Sequence, residues 1–289
     1  YNQDAPEVSD YEYDQLMIRL RNMEKDHPEL TAADSPTQII GGTAKRKAGV
    51  IVAHDVPMLS IQDVFSKEEV LEWVHEVRTM HPDVRFDVEQ KIDGLSMSIR
   101  YQDGELKLAE TRGDGFQGED VTTNALVIPD VVRKLSGEYQ NLEVRGEVYM
   151  SHADFDRTNE RQEIAGKNVF ANPRNCAAGT LRQLDSAMVR ERGLSMFIFN
   201  IQRADQELMQ SHHAGLLYLQ DKEKMVPVPS VLCQTDEEIL AQIDAIGDMR
   251  GDLEYDIDGA VIKIDQIAYR NDFPAGSKYS AGHIAYKYP

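Results

Sequence analysis

Two hydrophobic periods divide the chain. Near the start, Ser9-x-x-Glu12 has the form of a helix capping box, and Leu16, Leu20 and Met23 follow at the spacing of one helix face. This predicts a helix with a Leu16/Leu20/Met23 core stripe, ended by His27-Pro28 because proline cannot continue it. Residues 41–49, GGTAKRKAG, read as a flexible linker. A second capping box, Ser66-x-x-Glu69, precedes Val70, Val74 and Val77 on one face. After Pro82 the period falls to two. Residues 86–91 alternate, with Phe86 and Val88 on one side and Glu89 and Lys91 on the other. Residues 96–101 and 105–111 flank Gln102-Asp103-Gly104, and Asp-Gly is a strong hairpin signal. Residues 142–150, 194–201 and 256–265 also read as strands; 194–201 is nearly all apolar, the pattern of a buried strand. Residues 173–184 read as a helix with proline in its first turn. Helices and hairpin strands mix without regular strand–helix–strand alternation. The expected fold class is therefore α+β, with antiparallel sheets, flanking helices and a small helical N-terminal module. The expected division is a module at 1–48 and a main domain at 49–289.

Composition narrows this picture. The chain has 289 residues and a hydrophobic share of 41%, ordinary for a globular protein with a sizeable core. No stretch approaches the ~20 apolar residues of a membrane span, and no signal peptide opens the chain. It begins at Tyr1 without Met, which leads us to expect residues upstream. Cys176 and Cys233 lie far apart and neither belongs to a C-x-x-C pair, so no zinc site or disulfide framework is read, and a reducing cytoplasm is the expected compartment. The net charge of -19 argues against nucleic acid, whose binders carry a basic footprint. Residues 157–192 reverse the sign locally, which fits either a phosphate-facing segment or a solvated helical surface.

The chemistry centres on Glu89-Gln90-Lys91-Ile92-Asp93-Gly94. A strand would put Glu89, Lys91 and Asp93 on one face. A lysine among carboxylates is either a salt-bridged structural residue or, if its amine loses its proton in place, a nucleophile. K-x-D-G alone is short enough to arise by chance. It gains specificity from Thr111-Arg112-Gly113-Asp114-Gly115, where glycines permit close backbone approach to a ligand. Arg112 there is either a ribose or phosphate contact or a surface turn residue. Asp10, Tyr13 and Asp14 fall at i, i+3 and i+4 and would share a helix face. An aromatic with two carboxylates suits a flat cationic ring and a diol; equally, the acids could simply meet the helix dipole of a solvated first turn.

The run from Lys91 to Asn124, KIDGLSMSIRYQDGELKLAETRGDGFQGEDVTTN, resembles the signature of NAD+-dependent DNA ligases, within the wider group of lysine nucleotidyltransferases. Other segments are similar to that family in the same order. They are YNQDAPEVSDYEYD (1–14), HDVPMLSIQDVF (54–65), LEVRGEVY (142–149), VFANPRNCAAGTLRQLD (169–185), YDIDGAVIK (255–263) and AYKYP (285–289).

The resemblance implies that Lys91 attacks the α-phosphorus of NAD+, expels nicotinamide mononucleotide and carries AMP as a phosphoramidate. It implies Mg2+ held by Asp93, Glu147 and Asp258, largely through water. By the same resemblance Lys287 meets the α-phosphate, Lys263 the adenine, Glu89, Ser60 and Ile61 the nucleoside, and Arg112 the ribose. Glu147 belongs to the nucleotide site as well. Phe199 stands where the family places an aromatic against the base, though an apolar strand also explains a core Phe. Asp10, Tyr13 and Asp14, extended by Tyr1 and Asn2, would take the nicotinamide half and so select NAD+ over ATP. Arg174 and Arg182 would face DNA phosphate at a nick, arginine's planar fork suiting that group.

Two departures stand out. Asn2 occupies a position where the family usually has His or Tyr, and Ser280-Ala281-Gly282-His283 lacks the basic and Trp residues expected there. The family's OB, zinc, helix-hairpin-helix and BRCT modules are not in the sequence. We therefore expect a monomer that accepts AMP but seals nicks poorly or not at all, with nicked duplex DNA as partner of the longer enzyme. An ATP- or GTP-using nucleotidyltransferase and a non-catalytic DNA-binding scaffold are the competing readings.

Overall fold

Ser9 caps the first helix, α1 (Asp10–Asp26), through the reciprocal box: Glu12 N donates to Ser9 Oγ at 3.2 Å, and Ser9 N donates to the Glu12 carboxylate at 2.9 Å. Such a cap stabilises a helix by ~1 kcal/mol. The computed structural model describes residues 8–32, 34–38 and 50–289; the side chains of Asp10 and Tyr11 lie outside that description. Tyr1, Asn2 and the 41–49 linker reading also fall outside the described residues.

The predicted core stripe of α1 is corrected. Leu16 and Met23 are 53% and 62% exposed, Leu20 is half-buried, and Met17 is the buried residue at 7%. The helix meets the body through the neighbouring stripe, with Asp14 beside Lys287 and the Arg21 guanidinium over the Tyr279 ring. Two stripes offset by one residue share the same 3–4 spacing. Only the docking partner distinguishes them.

The remaining elements, in chain order, are β1 (Ile51–Ala53), β2 (Ser60–Val64), α2 (Lys67–Met80), β3 (Phe86–Ile92), β4 (Leu95–Gln102), β5 (Glu105–Thr111), β6 (Gln117–Glu119), α3 (Thr122–Ala125), β7 (Leu142–Tyr149), α4 (His152–Ile164), α5 (Pro173–Leu181), α6 (Ser186–Arg192), β8 (Ser195–Arg203), α7 (His212–Glu223), β9 (Ser230–Cys233), α8 (Asp236–Met249), β10 (Ile257–Ile264) and β11 (Tyr279–Lys287). One sheet runs β2-β11-β10-β3-β9, all antiparallel except the β2–β11 pair. A second, fully antiparallel, runs β5-β4-β7-β8, and β1 pairs with β6. This is the expected α+β mixture.

Each large sheet has its own core. Val70, Val74 and Val77 of α2 and Ile239, Ile243 and Ile246 of α8 join Phe86, Val88 and Ile262 of the five-stranded sheet. Met97, Ile99, Val144 and Val148 of the other sheet gather Cys176, Ala177 and Leu181 of α5 and Leu216 and Leu219 of α7. Ser66 caps α2 by accepting from Glu69 N, but the Glu69 carboxylate accepts from Ser66 Oγ and Phe65 N, one residue off a strict box. The helix expected over 173–184 stops at Leu181, because Asp185 opens α6 by accepting from Ala187 N. Among the described residues, no helix is long and apolar enough to cross a membrane.

Candidate active site

Strand register builds the site. In β3, alternate residues Asp87, Glu89 and Lys91 share one face, opposite the core residues Phe86 and Val88. Across β10 their partners are Lys263, Val261 and Gly259, and across β11 the partners of those are His283, Ala285 and Lys287. Directly opposed residues in a sheet lie on the same face. Three rows result: Lys91–Gly259–Lys287, Glu89–Val261–Ala285 and Asp87–Lys263–His283. The first sets two lysines on either side of a residue with no side chain. A Cβ on Gly259 would lie 2.4 Å from the Tyr286 carbonyl oxygen and 3.5 Å from Lys91 Cδ, so the gap depends on glycine.

Asp258 enters through an irregularity. The β3–β10 register shifts between Ile257 and Gly259, so Asp258 is an extra residue against β3. Bulges re-aim side chains in this way. Asp258 reaches both lysines, with Oδ1 3.3 Å from Lys91 Nζ and Oδ2 accepting from Lys287 Nζ at 2.9 Å. Burial pushes the Asp258 carboxyl up, but Lys91 and Lys287 outweigh it and bring it down to about 2. Burial also works against the Lys91 charge; Asp258, Asp63 and Glu147 outweigh that and hold the ammonium above the ordinary lysine range. The protein alone therefore favours the protonated, non-nucleophilic form.

Glu147, on β7 of the facing sheet, is pushed up to about 7 by burial, against Lys91, Arg145 and Arg174. Asp93 lies just past β3 and is 3.8 Å from Arg174, the second residue of α5. Arg174, expected at DNA, thus turns toward the lysine. Among the described residues, the acidic and histidine side chains whose ligand atoms converge within 4.8 Å in a group of three are Asp87, Glu89 and His212; Asp93, Glu147 and Asp258 form no such group. Asp258 and Glu147 still supply oxygen donors by Lys91, Asp93 acts on Glu147 in turn, and Asp258 Oδ1 is buried without a hydrogen bond. An all-oxygen set too spread to share one ion directly suits a cation that keeps its waters, as Mg2+ does.

Arg112 donates to Ser60 Oγ at 3.2 Å, joining the end of β5 to the start of β2; Ile61 beside Ser60 is half-buried. Two cations lie over the Phe199 ring, Arg145 at 5.3 Å and Lys263 at 5.0 Å from its centroid, and Lys263 Nζ also donates to the Phe199 carbonyl at 2.6 Å. Arg145 is buried and fixed by Ser96 Oγ and the Leu59 carbonyl. Lys263 forms a 2.7 Å ion pair with Glu89, both 1% exposed. Burial draws both toward neutrality, pushing Glu89 up and Lys263 down, each opposed by the other's charge.

From the N-terminal helix, Asp14 comes within 4.0 Å of Lys287 Nζ; burial pushes its carboxyl up while Lys287 opposes. Tyr13 is half-buried beside it. Further along α1, Arg21 and Lys25 face Lys278 across a cavity of about 330 Å³, away from Lys91. Arg182 is half-buried at the C-terminal end of α5, and the sheet face carrying Lys91 does not include it. Sequence reading missed Asp63, which pairs in register with Ala285, and Arg145, Asp87 and His212. The alternation around Glu89 extended to Asp87 and was available as a signal; His212 offered none. At the atypical 280–283 segment, Gly282 adopts φ +75°, and a Cβ there would lie 2.6 Å from Arg270 Cγ. Arg270 covers the strand where a larger side chain was expected.

Residues 49–289 match the family described as "NAD-dependent DNA ligase adenylation domain", and residues 1–41 match "DNA ligase-like, N-terminal NAD+-binding domain". The chain belongs to the NAD-dependent DNA ligase adenylation-domain family. It is 44% identical over 289 residues to a DNA ligase of Clostridium kluyveri, covering 100% of this chain and 43% of the relative. It is 42% identical over 290 residues to one of Acetivibrio thermocellus, covering 100% of this chain and 44% of that protein. A Clostridioides difficile DNA ligase is 41% identical, again over all of this chain and 43% of its own length. The chain thus spans less than half the length of these relatives.

Proposed function

We propose that residues 49–289 form an adenylation unit in which Lys91 takes AMP from NAD+, with residues 1–48 supplying contacts to the nicotinamide half. The observation that carries this reading is the Lys91–Gly259–Lys287 row, two amines flanking a gap sized by glycine. A phosphate held there faces both. Lys91 gives up one proton to solvent to become the free amine, and its nitrogen bonds to the α-phosphorus. The bond from that phosphorus to the bridging oxygen of nicotinamide mononucleotide breaks with its electrons leaving on that oxygen, and the new nitrogen–phosphorus group sheds its second proton to solvent. Lys287 meets the charge on the α-phosphate oxygens.

The base lies over the short side chains of Val261 and Ala285, beside the Phe199 ring, with Glu89 and Lys263 at its far edge. Arg112 and Ser60 take the ribose. Mg2+, when held by Asp258, Glu147 and Asp93, chiefly through water, supplies positive charge that offsets these carboxylates and lowers the proton affinity of Lys91. Asp14 and Tyr13, with Asp10, Tyr1 and Asn2, receive the nicotinamide nucleotide. Arg174 and Arg182 face DNA phosphate, and the AMP passes to a 5'-phosphate at a nick in replication and repair. For Arg174 that role competes with its contact to Asp93.

Intact-mass spectrometry after incubation with Mg2+ and NAD+, ATP or GTP separately tests this. A gain of one AMP from NAD+, mapped to Lys91, is the expected result. Label from ATP alone would replace NAD+ with ATP as donor, and no label from any donor would favour a scaffold.

A further inference from the structure

Behind the nucleotide-facing residues lies a buried polar network for which the adenylation reading has no use. Both oxygens of Glu89 are engaged: Oε1 by Lys263 Nζ at 2.7 Å and Oε2 by His212 Nε2 at 2.6 Å. His212 is the first residue of α7 and is almost fully buried. Its backbone is pinned, since His212 N donates to the Asp265 carbonyl at 2.9 Å and His213 N donates to the Asp265 carboxylate at 2.7 Å. Its ring is bracketed by Asp87, whose Oδ2 lies 3.4 Å away and whose Oδ1 accepts from His213 Nδ1 at 2.9 Å. Asp87 is 0% exposed, and its Oδ2 makes no hydrogen bond.

Two carboxylates two residues apart on one strand face repel each other in a dry interior. His212 Nε2 faces both, 2.6 Å from Glu89 Oε2 and 3.4 Å from Asp87 Oδ2, and so ties the Glu89 carboxylate in place. The same three residues could be imagined around a metal, but Lys263 already occupies the open side of Glu89 with a positive charge.

We propose that His212 and Asp87 are positioning residues that aim the Glu89 carboxylate at the base, so that the preference for a 6-aminopurine depends on them. This rests on the reading that the base lies over Val261 and Ala285. Each carboxylate oxygen has a second lone pair to offer. Glu89 with Lys263 presents an acceptor beside a donor, which complements an amino group beside a ring nitrogen. A 6-oxopurine presents the reverse order and leaves both groups mismatched, the kind of mismatch that discriminates strongly.

The test measures self-adenylylation by intact mass with NAD+ and with its hypoxanthine analogue, for the parent chain, His212→Ala, His212→Gln and Asp87→Asn. Calorimetric affinities for the two dinucleotides and thermal melts are taken in parallel. The expected result for His212→Ala is a rise of about tenfold in KM for NAD+ at a nearly unchanged saturating rate, the scale of one charge-assisted hydrogen bond, with a narrowed preference over the analogue. His212→Gln keeps an N–H for Glu89 and restores the preference; Asp87→Asn narrows it. If His212→Ala does not fold, the Gln and Asn variants decide. Unchanged preference in folded variants overturns the proposal, as does a fall in saturating rate with KM unmoved. If the parent takes no AMP, the adenylation reading fails, and the positioning claim is then decided by the calorimetric preference alone: present in the parent and reduced in the variants, or refuted.

Discussion

Lys91 and Lys287 share one carboxylate, that of Asp258, at 3.3 and 2.9 Å, across a glycine that separates them in the sheet. The shared aspartate keeps two like charges close without their repelling the strands apart. It also favours the protonated form of Lys91, the proposed nucleophile, until other charge relieves it.

That relation predicts how Lys91 responds to Asp258→Asn. Removing a negative charge makes the ammonium less favoured, so the free amine appears at lower pH. Competitive acetylation of the metal-free protein, read by peptide mass spectrometry, should show Lys91 reacting slowly in the parent and faster in the variant. A parent Lys91 as reactive as surface lysines would contradict the carboxylate cage. Lys91→Ala should take no AMP at all.

Glu147 predicts a slope in stability against pH. Its folded value near 7 lies above the usual glutamate value of 4.5, so between those values the folded state binds more protons than the unfolded chain. Stability from this group is fully present below about 4.5 and is lost as pH rises through about 7. Urea midpoints across that window should fall more steeply in the parent than in Glu147→Gln. Added Mg2+, which favours the ionised carboxylate, should flatten the parent's slope.

Gly259→Ala probes the gap itself. The added methyl meets the Tyr286 carbonyl at 2.4 Å, inside contact distance, and narrows the space between the lysines. We expect a loss of about 1–3 kcal/mol in stability, the usual scale of overpacking, together with loss of AMP uptake. Chemical denaturation and intact mass report the two separately; full uptake in a folded variant would place the phosphate elsewhere.

Asp14→Ala separates donor recognition from folding. Its side chain is 22% exposed and lies at the edge of the site, 4.0 Å from Lys287 Nζ. A change of less than ~0.5 kcal/mol in stability is expected, with a several-fold rise in KM for NAD+. A large drop in melting temperature would instead make Asp14 a structural partner of Lys287.

Local pattern was enough to establish the α1 cap, the β4–β5 hairpin, the α+β mixture and the common face of Glu89 and Lys91, because capping and two-residue alternation act between near neighbours. The motif resemblance extended this to Asp258, Lys263 and Lys287 as named candidates. Their arrangement was not legible. The Lys91–Gly259–Lys287 row joins positions up to 196 residues apart (Lys91 to Lys287), and the bulge that turns Asp258 inward exists only in the pairing of β10 with β3. The docked face of α1 was misassigned, since both of its stripes have helical spacing and only the body selects Met17 over Leu16 and Met23. His212 reaches Glu89 from 123 residues away, and burial makes that contact matter. Short-range periodicity determines which side chains share a face of one element; register between distant strands and the exclusion of water decide which of those faces becomes a site.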